Sequence, residues 1–171
     1  MTDSPPRRPA VFFDRDGTLN EDRHFPHLLE DLAVIPGAPQ AVQRCRAAGF
    51  HTVIVTNQSG IARGHFDTAA FERFNAALLA ALAQSGATID LTLHCPHHPD
   101  FTGACKCRKP AAGMIHNACT MLRIDLSASF LIGDRLVDMQ CAEAAGIEGY
   151  RFTEGNLDDF VADILKRRAL G

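Results

Sequence analysis

Ala10-Val11-Phe12-Phe13-Asp14-Arg15-Asp16-Gly17-Thr18 is the stretch from which the rest of the chain is read. Four apolar residues make a run of the length of a buried strand. The run ends on a carboxylate, followed by a cation, a second carboxylate and a glycine suited to a sharp turn. Further β-branched or apolar runs recur along the chain: Thr52-Val53-Ile54-Val55 before Thr56-Asn57, Leu91-Thr92-Leu93-His94, and Ser129-Phe130-Leu131-Ile132 before Gly133-Asp134. A last short run lies near Gly149-Tyr150-Arg151. Helical patterns fill the intervals. One spans 37–48 and stops at Gly49; a second spans 67–85, capped by Asp67, with Phe71, Phe74, Leu78 and Leu82 on one stripe. Others cover 113–122, 136–145 with Gly146 as its stop, and 157–168.

Strands alternating with helices imply right-handed crossovers and an α/β fold, a Rossmann-like parallel sheet with helices on both faces. Ligands of such sheets bind outside the carboxyl ends of the strands. Asp14 with Asp16, Thr56 with Asn57, and Asp134 all stand at such ends. The 171 residues suit one domain, expected over 10–171, behind a polar, proline-rich tail at 1–9. With 46% apolar residues the chain can bury a core, and a net charge of −3 argues against a nucleic-acid or anionic-membrane surface. No apolar run is long enough to span a bilayer, and the start has no apolar signal core, so a cytoplasmic location is expected. Nothing marks an exposed apolar interface, and a monomer is the default expectation.

Phosphate-ester hydrolysis would use these strand ends well. It needs a nucleophile in line with phosphorus, neutralisation of the phosphoryl oxygens and a proton for the leaving alkoxide. Asp14 is a fixed carboxylate suited to attack, and Asp16, two residues on, can serve as acid and then base. Carboxylates this close to a phosphate require a divalent cation, and Mg²⁺, hard and oxygen-loving, fits, with Asp134 as the next carboxylate. Thr56 offers a hydroxyl and nearby N–H groups to the phosphoryl oxygens, Lys109 a point charge, and Thr18 a hydroxyl beside the turn.

Six cysteines in a chain expected in a reducing compartment point to metal before disulfides. Cys95-Pro96-His97 and Cys105-Lys106-Cys107 give two pairs with one-residue spacing, matching a closed, structural Zn²⁺ site in a loop over about 95–109. His98 is the competing ligand, and ordinary buried thiols are the alternative; Cys45, Cys119 and Cys141 read as core residues. Cys107 runs directly into Arg108-Lys109, so such a loop would anchor both cations.

Asp14-x-Asp16-Gly17-Thr18, Thr56, Lys109-Pro110 and Gly133-Asp134-x-x-x-Asp138 resemble, in order, the four motifs of the haloacid dehalogenase superfamily. The resemblance implies Asp14 as nucleophile, Asp16 as acid/base, Mg²⁺ held by Asp14, the Asp16 carbonyl and Asp134, and Asp138 in support. Residues 19–55 leave only a short flap, about 19–32, after a helix and a strand are placed, so a capless enzyme is expected. The zinc loop, the run from Thr56 to Gly64 and Gly133-Asp134-Arg135-Leu136-x-Asp138-Met139 are similar to the heptose bisphosphate phosphatases, which remove the C7 phosphate of D-glycero-D-manno-heptose 1,7-bisphosphate on the way to lipopolysaccharide core precursors. By motif match, Asp22, Arg23, His24, Phe25, Asn57, Gln58, Ser59, Arg108 and Arg135 would touch this small phosphorylated sugar, with Arg108 gripping the second phosphate. Histidinol phosphate, another small phosphomonoester or a polynucleotide 3′-phosphate end are alternative substrates, and a non-catalytic zinc module is the alternative of another class.

Overall fold

β1 (Ala10–Phe13) takes the centre of the sheet because all four of its side chains are fully buried. The computed structural model describes residues 6–170, which form a five-stranded parallel sheet with β2 (His51–Asn57), β3 (Leu91–Cys95), β4 (Phe130–Gly133) and β5 (Glu148–Arg151) in the order β3-β2-β1-β4-β5. The helices are α1 (Ala38–Ala47), α2 (Thr68–Gln84), α3 (Pro99–Thr102), α4 (Gly113–Leu122), α5 (Leu136–Ala145) and α6 (Leu157–Ala169).

Alternation along β1 sends side chains to both faces. Val11 and Phe13 join a core with Ile54, Ile132 and residues of α1, α2 and α6, while Ala10 and Phe12 join one with Val53, Val55, Leu131 and residues of α4 and α5. Burying an aromatic side chain of this kind contributes about 1.5–3 kcal/mol, so Phe12 and Phe13 fasten the strand from both sides. The expected caps are present: the Asp67 carboxylate accepts from Ala70 N at 2.7 Å, and Gly146 closes α5 in the left-handed conformation.

Strand order reverses between β1 and β4, and the crevice at that switch point is where open α/β sheets hold ligands. Asp14 N donates to Ile132 O at 2.9 Å, extending the ladder by one bond and fixing where the Asp14 carboxylate begins. Two features differ from expectation. β2 is longer than the apolar run, reaching from His51 through Asn57. A short helix, α3, stands in the cysteine loop, where four residues are too few to show a period. Of the expected tail, 1–5 lie outside the described residues. Arg8 O accepts from Asp125 N and Pro9 O from His51 N, each at 2.8 Å, which ties Pro9 to β2 and Arg8 to the segment between α4 and β4.

Candidate active site

Three carboxylates converge at the switch point. One oxygen each from Asp14, Asp134 and Asp138 lies within 4.8 Å of the others. Lys109, only 2% exposed, enters between them: its Nζ donates to Asp14 Oδ1 at 2.8 Å, Asp138 Oδ1 at 2.6 Å and Val55 O at 2.9 Å. Burial, and then repulsion from Asp138 and Asp16, push the Asp14 carboxyl up to about 7 although Lys109 pulls the other way. Burial also works against a charged Lys109, but Asp14 and Asp138 more than offset it and hold the ammonium above its usual range. Asp134 is raised by burial and by Asp138, against a hydrogen bond with Asp14.

A divalent cation fits this set. Asp138 is satisfied by Lys109 Nζ and by Arg135 N at 3.0 Å, whereas Asp134 Oδ1 is buried with no partner among the described residues. A buried carboxylate oxygen without a donor is costly, and a hard cation shared with Asp14 would relieve it. Gly17, at φ +87°, passes so close to the Asp134 carboxylate that a Cβ there would collide with it. The turn therefore needs glycine for space as well as for conformation.

The loop after β2 faces inward more than its sequence suggests. Asn57 Nδ2 donates to Lys109 O at 3.0 Å and Asn57 Oδ1 accepts from Lys109 N at 2.9 Å, so the amide holds the lysine's backbone from both sides. Gln58 Nε2 donates to Asp16 Oδ2 and to Thr56 Oγ1, both at 2.9 Å. Thr56 is buried at the head of the cleft, and Thr18, also buried, has a hydroxyl with no partner among the described residues, which replaces the expected hydrogen bond at the turn.

Asp14, Asp16, Thr56, Asn57, Gln58, Lys109 and Asp138 floor a cleft of about 410 Å³, whose walls include Asp22, His24, Phe25, Ser59, Arg108, Arg135 and Val137. Arg135 pairs with Asp22 across the mouth, and Arg108 Nη1 donates to His97 O at 3.2 Å. Arg23 is placed elsewhere: it is exposed, pairs with Glu21 at 2.9 Å and does not line the cleft. Val137 does line it and was not anticipated, since a lone valine at a helix start carries no chemical signal.

Cys95, His97, Cys105 and Cys107 come together beside the cleft. Their sulfurs stand 3.2–3.6 Å apart, and His97 Nδ1 is 3.6 Å from Cys95 Sγ and 3.3 Å from Cys107 Sγ. Zinc–sulfur bonds of about 2.3 Å imply neighbouring donors about 3.8 Å apart in a tetrahedron, close to these spacings and far from a disulfide. All six cysteines are free. Burial disfavours a Cys105 thiolate, but the Arg108 N–H and the neighbouring thiols outweigh it and bring the thiol down to about 7. His98 instead caps α3 and bonds Arg63 through Nε2 at 2.8 Å, leaving His97 as the histidine of the cluster.

A family model described as haloacid dehalogenase-like hydrolase matches residues 11–81, and a related hydrolase-like model matches 106–164. The D-glycero-β-D-manno-heptose-1,7-bisphosphate 7-phosphatase of Rhodopseudomonas palustris is 42% identical over 96% of this chain and 94% of its own length. The chain belongs to the heptose bisphosphate phosphatase family of haloacid dehalogenase-like hydrolases. Its Escherichia coli K12 relative of the same name is 43% identical over 81% of this chain and 75% of its own length. Among solved structures, a haloacid dehalogenase-like protein of Mesorhizobium loti superposes with a TM-score of 0.88 at 34% identity, covering 97% of this chain and 88% of that one. The D,D-heptose 1,7-bisphosphate phosphatase of B. bronchiseptica, in complex with magnesium and phosphate, superposes at 0.79 with 36% identity, covering 91% and 86%.

Within this phosphatase family fold, the general hydrolase models leave out 82–105, the segment that carries Cys95, His97 and Cys105. No helix among the described residues is long and apolar enough to cross a membrane.

Proposed function

We propose that the chain removes the C7 phosphate of D-glycero-β-D-manno-heptose 1,7-bisphosphate through a phospho-aspartate on Asp14. An Asp14 oxygen attacks phosphorus, the bond from phosphorus to the C7 oxygen breaks, and Asp16 gives its proton to that oxygen. Asp16 then takes a proton from water as the water oxygen attacks phosphorus; the bond to Asp14 breaks, releasing phosphate and heptose 1-phosphate. Mg²⁺ held by Asp14, Asp134 and the Asp16 carbonyl would offset the charge that otherwise keeps phosphate from a carboxylate. Thr56 and Lys109 hold the transferring phosphoryl group, while Asp138 holds Lys109. Zn²⁺ on Cys95, His97, Cys105 and Cys107 would stiffen the loop that presents Arg108 and Lys109.

The observation that carries this reading is a cleft with cations at two depths. Lys109 is buried on Asp14, whereas Arg108 is half-buried and Arg135 is exposed at the mouth. Two anionic groups on one small molecule suit that arrangement, and Phe25 and Val137 give the sugar's C–H face an apolar wall. Arg108, with its planar fork, takes the C1 phosphate; Asp22, His24, Asn57, Gln58, Ser59 and Arg135 complete the surround. The relatives named above carry the β-anomer in their names, which supports that choice of sugar. Phosphate release with Mg²⁺ from heptose 1,7-bisphosphate, heptose 1-phosphate and histidinol phosphate tests it. The bisphosphate should turn over fastest and the 1-phosphate hardly at all; preference for histidinol phosphate would overturn the substrate assignment.

A further inference from the structure

Arg15 lies between the two aspartates of the first motif, yet it points away from the cleft. It is fully buried, with its guanidinium carbon 4.7 Å from the ring centre of Phe74 and 5.3 Å from that of Phe71, both on α2. Its Nε donates to Asp16 Oδ1 at 2.8 Å and its Nη2 to Asp16 Oδ2 at 3.0 Å, a two-pronged grip on the acid/base carboxylate. Nη2 also donates to Pro26 O at 3.3 Å, in the flap segment that carries His24 and Phe25. Asn20 Nδ2, 3.0 Å from Oδ1, and Gln58 Nε2 complete the set, so both Asp16 oxygens accept two donors.

Stability alone does not account for this residue. Arg15 Nη1 is buried with no partner among the described residues, and an apolar side chain of similar volume between two phenylalanines would avoid that cost. What arginine alone provides is a planar fork locked against two rings, which holds a partly exposed carboxylate in one orientation. We propose that Arg15 is a positioning residue: braced by Phe71 and Phe74, it fixes Asp16 for proton transfer and ties that carboxylate to the flap through Pro26 O. This rests on Asp16 being the acid/base of the reaction proposed above.

The test exploits the leaving group, because a sugar alkoxide needs a proton to depart whereas p-nitrophenolate does not. Arg15→Met and Arg15→Lys are compared with the wild-type enzyme in pre-steady-state and steady-state experiments with Mg²⁺ and substrate in excess, using heptose 1,7-bisphosphate and p-nitrophenyl phosphate. Arg15→Lys keeps the charge and the aliphatic stem while losing the fork, so it remains informative where Arg15→Met folds poorly. Misplacing a proton donor by about an ångström costs on the order of 10²-fold, so first phosphoryl transfer from the sugar should slow by about 10–100-fold, at nearly unchanged KM. Transfer from p-nitrophenyl phosphate should slow by less than about threefold and show a burst followed by slow hydrolysis of the phospho-enzyme. Equal losses on both substrates, or no loss on the sugar, would overturn the proposal. The wild-type rates in the same experiment report separately on the proposed reaction: a wild-type enzyme inert on the bisphosphate would instead remove that reading.

Discussion

Replacing Asn57 with alanine removes two hydrogen bonds that act on one residue. Asn57 grips the Lys109 backbone through N–H···O bonds of 2.9 and 3.0 Å, and Lys109 Nζ in turn reaches Asp14 and Asp138. At about 0.5–1.5 kcal/mol net for each bond, the change should cost about 1–3 kcal/mol of stability. For a domain of this length, about 2 kcal/mol corresponds to a fall in Tm of about 4–8 °C. A Lys109 ammonium displaced by part of an ångström should also lower kcat/KM by about 10–100-fold. Differential scanning calorimetry and phosphate-release kinetics on Asn57→Ala read both effects. A higher KM with unchanged Tm would refute the reasoning, because Asn57 would then be a substrate contact and nothing more.

Three other outcomes follow from neighbouring geometry. Stripping Zn²⁺ with a chelator, or the change Cys105→Ser, should lower Tm and raise KM for the bisphosphate several-fold through Arg108, whose Nη1 is bonded to His97 O; unchanged KM in protein confirmed metal-free by elemental analysis would contradict this. Asp134→Asn should weaken Mg²⁺ binding by at least about tenfold, as calorimetric titration would show, because it removes the charge from a buried carboxylate whose Oδ1 has no donor among the described residues. Burial raises the Asp90 carboxyl, but Arg46, Thr52 N–H and His51 outweigh it and hold it below its usual range. A depressed carboxylate contributes stability above its unfolded value of about 3.9 and loses it as pH falls through the folded value. Wild-type protein should therefore melt above Asp90→Asn at neutral pH, and the gap should close below about pH 4; a gap independent of pH would exclude the charge.

Two strand ends were legible in the sequence because burial and chemistry meet there abruptly, at Phe13 to Asp14 and Gly133 to Asp134, whereas β2 runs on past Val55 to Asn57. Helix limits were legible where a capping side chain or a stop glycine stood, as at Asp67, Gly49 and Gly146. The four metal-type ligands were legible from their paired spacing alone. What escaped depends on contacts far apart in the chain. Nothing near Arg15 announces that Phe71 and Phe74 will enclose it. Asn57 and Gln58 line the cleft, but nothing local announces that their amides also bond Lys109 and Asp16. Arg135 and Asp22 pair across 113 positions, which leaves Arg23 to Glu21 and takes it out of the cleft. Helix α3 is too short for any periodic pattern to reveal.

The claim on which the rest depends is that phosphate passes through Asp14. Turnover of the bisphosphate with Mg²⁺, quenched during the steady state and reduced with borohydride, converts an aspartyl phosphate to homoserine at the residue that carried it. Mass spectrometry of the digested chain should find homoserine at position 14 only, and none when substrate is omitted. Homoserine at another aspartate, or a fully active enzyme that never shows it at position 14, would contradict the account.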